Sequence, residues 1–214
     1  MNRAMTQPEP LELRHIELRG REVILRPLER GDAPALAQAG AEGRDHYQYT
    51  PVPGTPAGAA AYVERALSMR SAGTRYPFAI TWRERVVGST SYYDYQSFQW
   101  PEGATLANPH GPDVLEIGYT WLAASAQRTR CNTEAKYLLL QHAFEVLQVH
   151  RVSLRTDARN QRSRSAIARL GAQDGEVRRV AENPVGSDLV TAQDAVELRA
   201  EWPAIASELQ RKLA

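Results

Sequence analysis

The chain has 214 residues, of which 43% are hydrophobic and 24% charged, as is usual for a globular protein. Its 26 basic and 25 acidic residues give a net charge of +1, so the sequence gives no case for nucleic acid or a membrane as a partner. The single cysteine, Cys131, excludes an internal disulfide and a thiolate metal cluster, and we expect no metal. With neither a secretory h-region nor a run of ~20 apolar residues, we expect a cytoplasmic protein.

The first half of the chain predicts a strand, two helices and a hairpin within one domain. We predict residues 1–14 to be a flexible segment and 15–214 a single domain, because domains usually span ~100–200 residues. Alternation at 23–25 indicates a strand, and Asp32 is a suitable N-cap for the helix that follows. A proline- and glycine-rich loop at 47–58 then precedes a second helix. The aromatic and β-branched runs YPFAITWR and RVVGSTSYYDY indicate an antiparallel hairpin.

The second half contains a strand–turn–helix–strand–helix unit over residues 114–171. VLEIGYTWL (114–122) is a strong strand, and a helix with a wide apolar stripe is predicted from Thr133 to Leu147. RVSLRT, a helix that stops at Gly171, the strand DAVELR and a terminal helix at 202–214 complete the pattern. This order predicts an α/β or α+β sheet with one parallel crossover.

The turn QRTRCNTEAK, between a strand and a helix, is the segment most informative about chemistry. The free amides of a helix N-terminus, together with the helix dipole, bind anions such as a pyrophosphate. Asn132 or Thr133 is a suitable N-cap, and Arg128 and Arg130 add positive charge. An ordinary solvated turn before a capped helix explains this segment equally well.

Taken with six other segments, this turn resembles the acetyl-CoA pyrophosphate loop of the GNAT superfamily, whose pattern is Gln/Arg-x-x-Gly-x-Gly/Ala. The resemblance is closer to the ribosomal-protein N-terminal acetyltransferase branch, the RimJ/RimL-like proteins, and covers roughly residues 16–203. It rests on LRPLERGDAPAL, VVGSTSYYDY, EIGYTWL, NTEAKYLLLQHAFE, RVSLRTDARNQRSRSAIARLGA and EWP. The resemblance implies a mixed, mostly antiparallel sheet flanked by helices, with a splayed parallel strand pair at the acetyl-CoA cleft.

The resemblance also implies direct transfer of the acetyl group from acetyl-CoA, the co-substrate, to a primary amine. The branch suggests a protein N-terminal α-amine, while a small-molecule amine and a non-catalytic acyl-CoA-binding protein on the same fold stay open, as does a homodimer. The resemblance implies that the backbone of Trp121 and Leu122 binds the cofactor, and that Asn160 and Ser163 lie along its pantetheine arm. It also implies that the whole turn binds the pyrophosphate, namely Gln127, Arg128, Thr129, Arg130, Cys131, Asn132 and Thr133.

The chain departs from the family pattern at the turn and at the proton donor. Arg130 stands where the family has its first glycine, and Asn132 where it has glycine or alanine. The family tyrosine seven residues after Asn160 is replaced by Ile167, so the resemblance implies Ser163 near the thioester sulfur. Asn160 and Ser163 could equally cap the late helix.

Glu116 is the candidate general base. Strand alternation places it on the opposite face from Leu115 and Ile117, and by resemblance this strand lines the acyl site. A carboxylate there can accept the proton that an amine loses during attack, directly or through a water. A solvated glutamate in a cross-strand pair is the alternative.

Overall fold

The computed structural model describes residues 15–108, 111–171, 177–179, 190–197 and 201–214, so the predicted flexible segment 1–14 lies outside it. Its strands are β1 (Leu18–Arg19), β2 (Val23–Pro27), β3 (Arg75–Trp82), β4 (Arg85–Gln96), β5 (Val114–Leu122), β6 (Arg151–Asp157), β7 (Val177–Arg179) and β8 (Val190–Glu197). Its helices are α1 (Ala33–Ala41), α2 (Pro56–Ser71), α3 (Cys131–Gln141), α4 (Gln161–Ala168) and α5 (Trp202–Leu213).

The described strands form one sheet in the order β1-β2-β3-β4-β5-β6-β8-β7. Neighbours pair antiparallel except β5 and β6, which are parallel, and this confirms the predicted mixed sheet with one parallel crossover. The parallel pairing ends where Glu116 lies opposite Ser153, although β5 continues to Leu122 and β6 to Asp157. Beyond that point the two strands separate, and the gap between them becomes a cleft.

A β-bulge interrupts β5 beside this gap. Ser91 of β4 pairs with Gly118 and Ser89 pairs with Trp121, so Tyr119 and Thr120 together face a single β4 residue. Tyr119 has a φ of 51°, a left-handed conformation that a tyrosine rarely adopts. Tyr119 contacts Arg75 on the α2 side of the sheet and Thr120 contacts Lys136 on the α3 side, and both residues line the cleft.

Helices cover both faces of the sheet. On one face, Tyr62 of α2 accepts a hydrogen bond from Arg75 of β3 (3.2 Å). On the other, the buried hydroxyl of Tyr92 in β4 donates to the Leu139 carbonyl of α3 (2.6 Å). Trp202 of α5 stacks against Phe144 (5.6 Å between ring centroids), which holds the terminal helix on the α3 side. None of the helices described here is long and apolar enough to cross a membrane.

The start of α3 differs from the predicted one. α3 begins at Cys131 with Arg130 as its N-cap, so the predicted start at Thr133 and the predicted caps Asn132 and Thr133 are wrong. The Thr129 hydroxyl accepts a hydrogen bond from the Cys131 amide (3.1 Å), which allows the helix to start earlier. α3 then continues into a π-helical turn over His142–Val146.

Candidate active site

A cavity of about 670 Å³ fills the gap between the separated ends of β5 and β6. Residues 47–50, which precede α2, form one wall, and the turn at 127–133 forms the end nearest α3. Residues along the whole of α4, and the two residues that follow it, close the remaining side. We refer to this cavity as the cleft. Two loops, one helix and the ends of two strands therefore converge on one opening in the sheet.

Most of the residues predicted to hold the cofactor line this cleft. The structure brings together Trp121, Leu122, Gln127, Arg128, Thr129, Asn132, Thr133, Asn160 and Ser163. Residues 132 and 133 lie in the first turn of α3, where amides have no intrahelical acceptor and point toward the space before the helix. That end of the cleft has the donor set that suits a pyrophosphate.

The other two residues predicted to bind the cofactor, Arg130 and Cys131, do not line the cleft. The Arg130 guanidinium donates to the Leu213 carbonyl of α5 (3.0 Å), away from the cleft. Its φ of −69° is ordinary, so no glycine is needed at this position. The left-handed residue of the turn is Arg128, with a φ of 60°. Cys131 is fully buried, and burial raises the pKa of its thiol to about 12, which leaves it protonated at neutral pH.

The cleft is positively charged. Among its described lining residues the cations are Arg128, Lys136, Arg155, Arg162 and Arg169. Asp157 is the one carboxylate among them, and the Arg159 guanidinium pairs with it (2.9 Å). Such an excess of positive charge in a concave site attracts a polyanion such as a nucleotide diphosphate.

Asn160 and Ser163 organise the α4 side of the cleft. The Asn160 side chain accepts a hydrogen bond from the Ser163 amide (3.1 Å), which makes Asn160 the N-cap of α4 as the sequence suggested. Ser163 contributes its amide rather than its hydroxyl to this cap. The Ser163 hydroxyl therefore plays no part in capping the helix, and the residue lines the cleft.

Backbone groups at the end of β5 are already partly occupied. The Leu122 carbonyl accepts hydrogen bonds from the Tyr47 hydroxyl (2.9 Å) and from the Gln127 amide group (2.9 Å). Trp121 packs edge-on against Tyr47 and donates from its indole to Tyr62 (3.3 Å). These contacts fix the wall at 47–50 against β5 and leave the Leu122 carbonyl less available to a ligand.

Glu116 is not among the residues that line the cleft. It lies at the last paired position before β5 and β6 separate, next to Ile117, which does line the cleft. Its side chain is 1% exposed, so it is not a solvated strand residue. The Tyr93 hydroxyl donates to one carboxylate oxygen, and the Arg155 guanidinium lies 2.6 Å from the other. Burial raises the pKa of Glu116 to about 7, although Arg155 opposes the shift. Gly118 leaves room for Tyr93, whose ring lies 2.6 Å from the position of a Cβ at 118.

Sequence reasoning missed four residues of this site: Tyr93, Tyr119, Lys136 and Arg155. Tyr93 and Arg155 reach Glu116 through strand register, which no local pattern gives. Tyr119 reaches the cleft through the bulge. The sequence did contain a signal that places Lys136 in the site. Lys136 follows Asn132 by one helical turn, so it lies on the face of α3 that begins at the turn predicted to bind pyrophosphate.

A cleft of this kind, between separating parallel strands and beside a cationic turn at a helix N-terminus, defines an acyltransferase that uses a coenzyme A thioester. The Acetyltransferase (GNAT) domain family matches residues 22–173, and the chain belongs to this family. GNAT enzymes use acetyl-CoA as the acyl donor. Among the residues described, no cluster of histidine, cysteine and acidic side chains could hold a metal ion.

Solved structures agree with this assignment. A candidate acetyltransferase from T. thermophilus is 32% identical, with a TM-score of 0.74 over 92% of this chain and 97% of that one. A GCN5-related N-acetyltransferase from Brucella melitensis is 26% identical, with a TM-score of 0.76 over 94% and 86%. Mycobacterium smegmatis RimJ, in complex with CoA-disulfide, shares the fold at 20% identity, with a TM-score of 0.71 over 92% and 93%. No curated protein matches the chain.

Proposed function

We propose that this acyltransferase transfers the acetyl group of acetyl-CoA directly to a primary amine, with Glu116 as the general base. The observation that carries the proposal is the position of Glu116, a buried carboxyl group where β5 and β6 separate, with a pKa of about 7. A base titrating near the working pH combines a useful ionised fraction with sufficient basicity.

The proposed cofactor mode follows the charge distribution of the cleft. The pyrophosphate would bind the amides of Asn132 and Thr133 and the side chain of Arg128, all at the α3 end. The pantetheine arm would run along the end of β5, near Trp121, toward Asn160. Arg130 and Cys131, which lie outside the cleft, are not part of this mode.

The proposed transfer needs one proton acceptor and one proton donor. The amine nitrogen forms a bond to the thioester carbonyl carbon, the carbon–sulfur bond breaks, and Glu116 takes the amine proton directly or through a water. Ser163 or a water then protonates the departing thiolate. Tyr93 and Arg155 hold the Glu116 carboxylate in place through the two contacts described above.

The acceptor would enter beside the 47–50 wall, where Tyr47, Tyr49 and Tyr119 line the cleft. No described residue of the long 96–113 loop lines the cleft. The Asp113 carboxylate instead holds this loop in place by accepting hydrogen bonds from the Phe98 amide (2.5 Å) and the Trp100 indole (2.9 Å). We propose a protein N-terminal α-amine as the acceptor, and a small-molecule amine is the second candidate.

Calorimetry and a turnover panel test this proposal together. We expect acetyl-CoA and CoA to bind with micromolar affinity, and thiol release over many turnovers to depend on an added amine. A panel of N-terminal peptides, polyamines and amino acids then separates the two acceptor classes. Binding of acetyl-CoA without turnover on any amine would favour the non-catalytic alternative. Absence of binding of both acetyl-CoA and CoA would contradict the proposed enzymatic function.

A further inference from the structure

Lysine is rare in this chain. The sequence contains 24 arginines but only two lysines, Lys136 and Lys212. Lys212 is a surface residue of α5 that pairs with Glu208 (3.3 Å) and donates to the Arg169 carbonyl (2.7 Å). Lys136 is 5% exposed and lines the cleft. One of only two lysines thus lies where the acyl donor is proposed to bind.

No carboxylate pairs with Lys136 in the part of the chain that the structure describes. Its Nζ donates to the Thr120 hydroxyl (2.7 Å), which lies 2.8 Å from the Thr90 hydroxyl. The acidic neighbours have other partners. Asp157 of β6 pairs with Arg159, and Glu134 of α3 accepts from the backbone amides of Arg21 and Glu22.

Apart from Asp157, which pairs with Arg159, the other charged groups that line the cleft are cations: Arg155 on β6, Arg162 and Arg169 at the two ends of α4, and Arg128 in the turn. The Lys136 ammonium is therefore buried without a counterion, and burial lowers its pKa to about 7. A substantial share of this side chain is a neutral amine at neutral pH. Arginine could not supply one, because a guanidinium stays charged in proteins.

The geometry points to Lys136 as an acyl acceptor, so that the chain acetylates its own Lys136 from acetyl-CoA bound in the cleft. This inference rests on the proposed function, since the cleft must hold the donor. The neutral Nζ attacks the thioester carbonyl carbon, a carbon–nitrogen bond forms and the carbon–sulfur bond breaks. The proton released from nitrogen passes, directly or through a water, to the departing CoA thiolate.

Acetylation would change the cleft in two ways. It removes one of the cations that line the cavity, and it adds an acetyl group to a side chain with 5% exposure. Both changes oppose binding of the next acetyl-CoA molecule, so self-acetylation would limit itself. We expect the acetylated chain to bind acetyl-CoA at least several-fold more weakly than the unmodified chain.

Isotope-labelled acetyl-CoA and peptide mapping by mass spectrometry test the inference on the full chain. We expect Lys136 to be labelled at least tenfold faster than Lys212, although Lys212 is the more exposed lysine. Excess desulfo-CoA should suppress labelling at Lys136 and leave Lys212 unchanged. The Lys136→Arg variant should show labelling only at Lys212 and the chain terminus.

Each outcome supports or overturns the inference. If acetyl-CoA binds and external amines turn over while Lys136 stays unlabelled, self-acetylation is excluded and the proposed function stands. Equal rates at the two lysines, or labelling that desulfo-CoA does not suppress, would show ordinary chemical acetylation in solution and also exclude it. Absence of acetyl-CoA binding would remove both the inference and the proposed function. The desulfo-CoA comparison uses the unmodified chain and does not depend on the folding of any variant.

Discussion

Glu116 of β5 and Lys136 of α3 are two buried ionisable groups that lie on opposite sides of the sheet. They reach similar pKa values from opposite directions. Burial raises the pKa of Glu116 to about 7 and lowers that of Lys136 to about 7. Glu116 has a counterion in Arg155 and a hydrogen-bond donor in Tyr93. Lys136 has the Thr120 hydroxyl and no carboxylate partner among the described residues.

The difference in partners separates the chemistry available to the two groups. Arg155 favours the ionised form of Glu116, which is the form that accepts a proton. The absence of a counterion favours the neutral form of Lys136, which is the nucleophilic form. The bulge at Tyr119 and Thr120 places Thr120, the hydrogen-bond partner of Lys136, on the α3 side, while Glu116 faces the α2 side with Tyr93.

The largest expected effect concerns Glu116 as a base. Glu116→Gln should lower kcat by ~10²–10⁴, the usual contribution of a general base, with little change in the Kd of acetyl-CoA. Steady-state kinetics and calorimetry measure the two quantities. Asp94→Asn is the matched control, since Asp94 contacts the same arginine (3.1 Å) but is more exposed. Intact turnover in Glu116→Gln would leave the carboxylate a purely structural role.

The pH dependence of stability should show the two groups with opposite signs. The unfolded chain ionises Glu116 first, so stability falls as pH rises from 4.5 to about 7, by up to ~3 kcal/mol. The folded chain deprotonates Lys136 first, so stability rises from about pH 7 to 10.5, by up to ~5 kcal/mol. When the free energy of unfolding is measured in urea as a function of pH, Glu116→Gln should lack the fall between pH 4.5 and about 7. Lys136→Met should lack the rise between about pH 7 and 10.5. Parallel profiles for wild type and both variants would contradict the two pKa shifts.

Arg155→Met tests the counterion directly. Without the guanidinium, the pKa of Glu116 should rise by ~1–3 units, the usual effect of an adjacent opposite charge. The acid limb of the kcat/KM profile should therefore move to higher pH, with at least a ~5-fold lower rate at pH 7 and recovery at alkaline pH. Arg162→Met removes another cleft cation and should leave the limb in place. Identical limbs in both variants would mean that the limb belongs to another group, such as the acceptor amine.

The sequence predicts much of this fold because its strands and helices carry strong local patterns. The strand VLEIGYTWL matches β5 at both ends, and the single parallel pair follows from the strand–helix–strand order. The bulge at Tyr119 has no such pattern, because one extra residue in an aromatic strand changes neither its composition nor its length noticeably. Tyr93 and Arg155 reach Glu116 only through the register of three strands.

The turn before α3 shows the limit of reasoning from a motif. Its position, and the cleft that it borders, follow from the sequence. The direction of each side chain does not, because it depends on where the helix starts. With α3 starting at Cys131, Arg128 faces the cleft and Arg130 faces α5, although only two residues separate them.

Arg128 and Arg130 therefore form a matched pair for the smallest predicted effect. Each alanine variant loses one positive charge within the same turn, so the change in net charge is equal. Arg128→Ala should weaken CoA binding about 3–10-fold, because an exposed charge-assisted contact is partly screened and stays below the ~1.5–3 kcal/mol of a well-placed one. The loss should be larger at low salt than at high salt. Arg130→Ala should lose only its hydrogen bond to the Leu213 carbonyl and bind CoA almost as wild type does.

Titration of CoA and of a pantetheine fragment at two ionic strengths measures both variants, and the affinity for the fragment should be the same in both. Equal weakening of CoA binding by both substitutions would show that only the overall charge of the turn matters, and that the direction of each side chain does not.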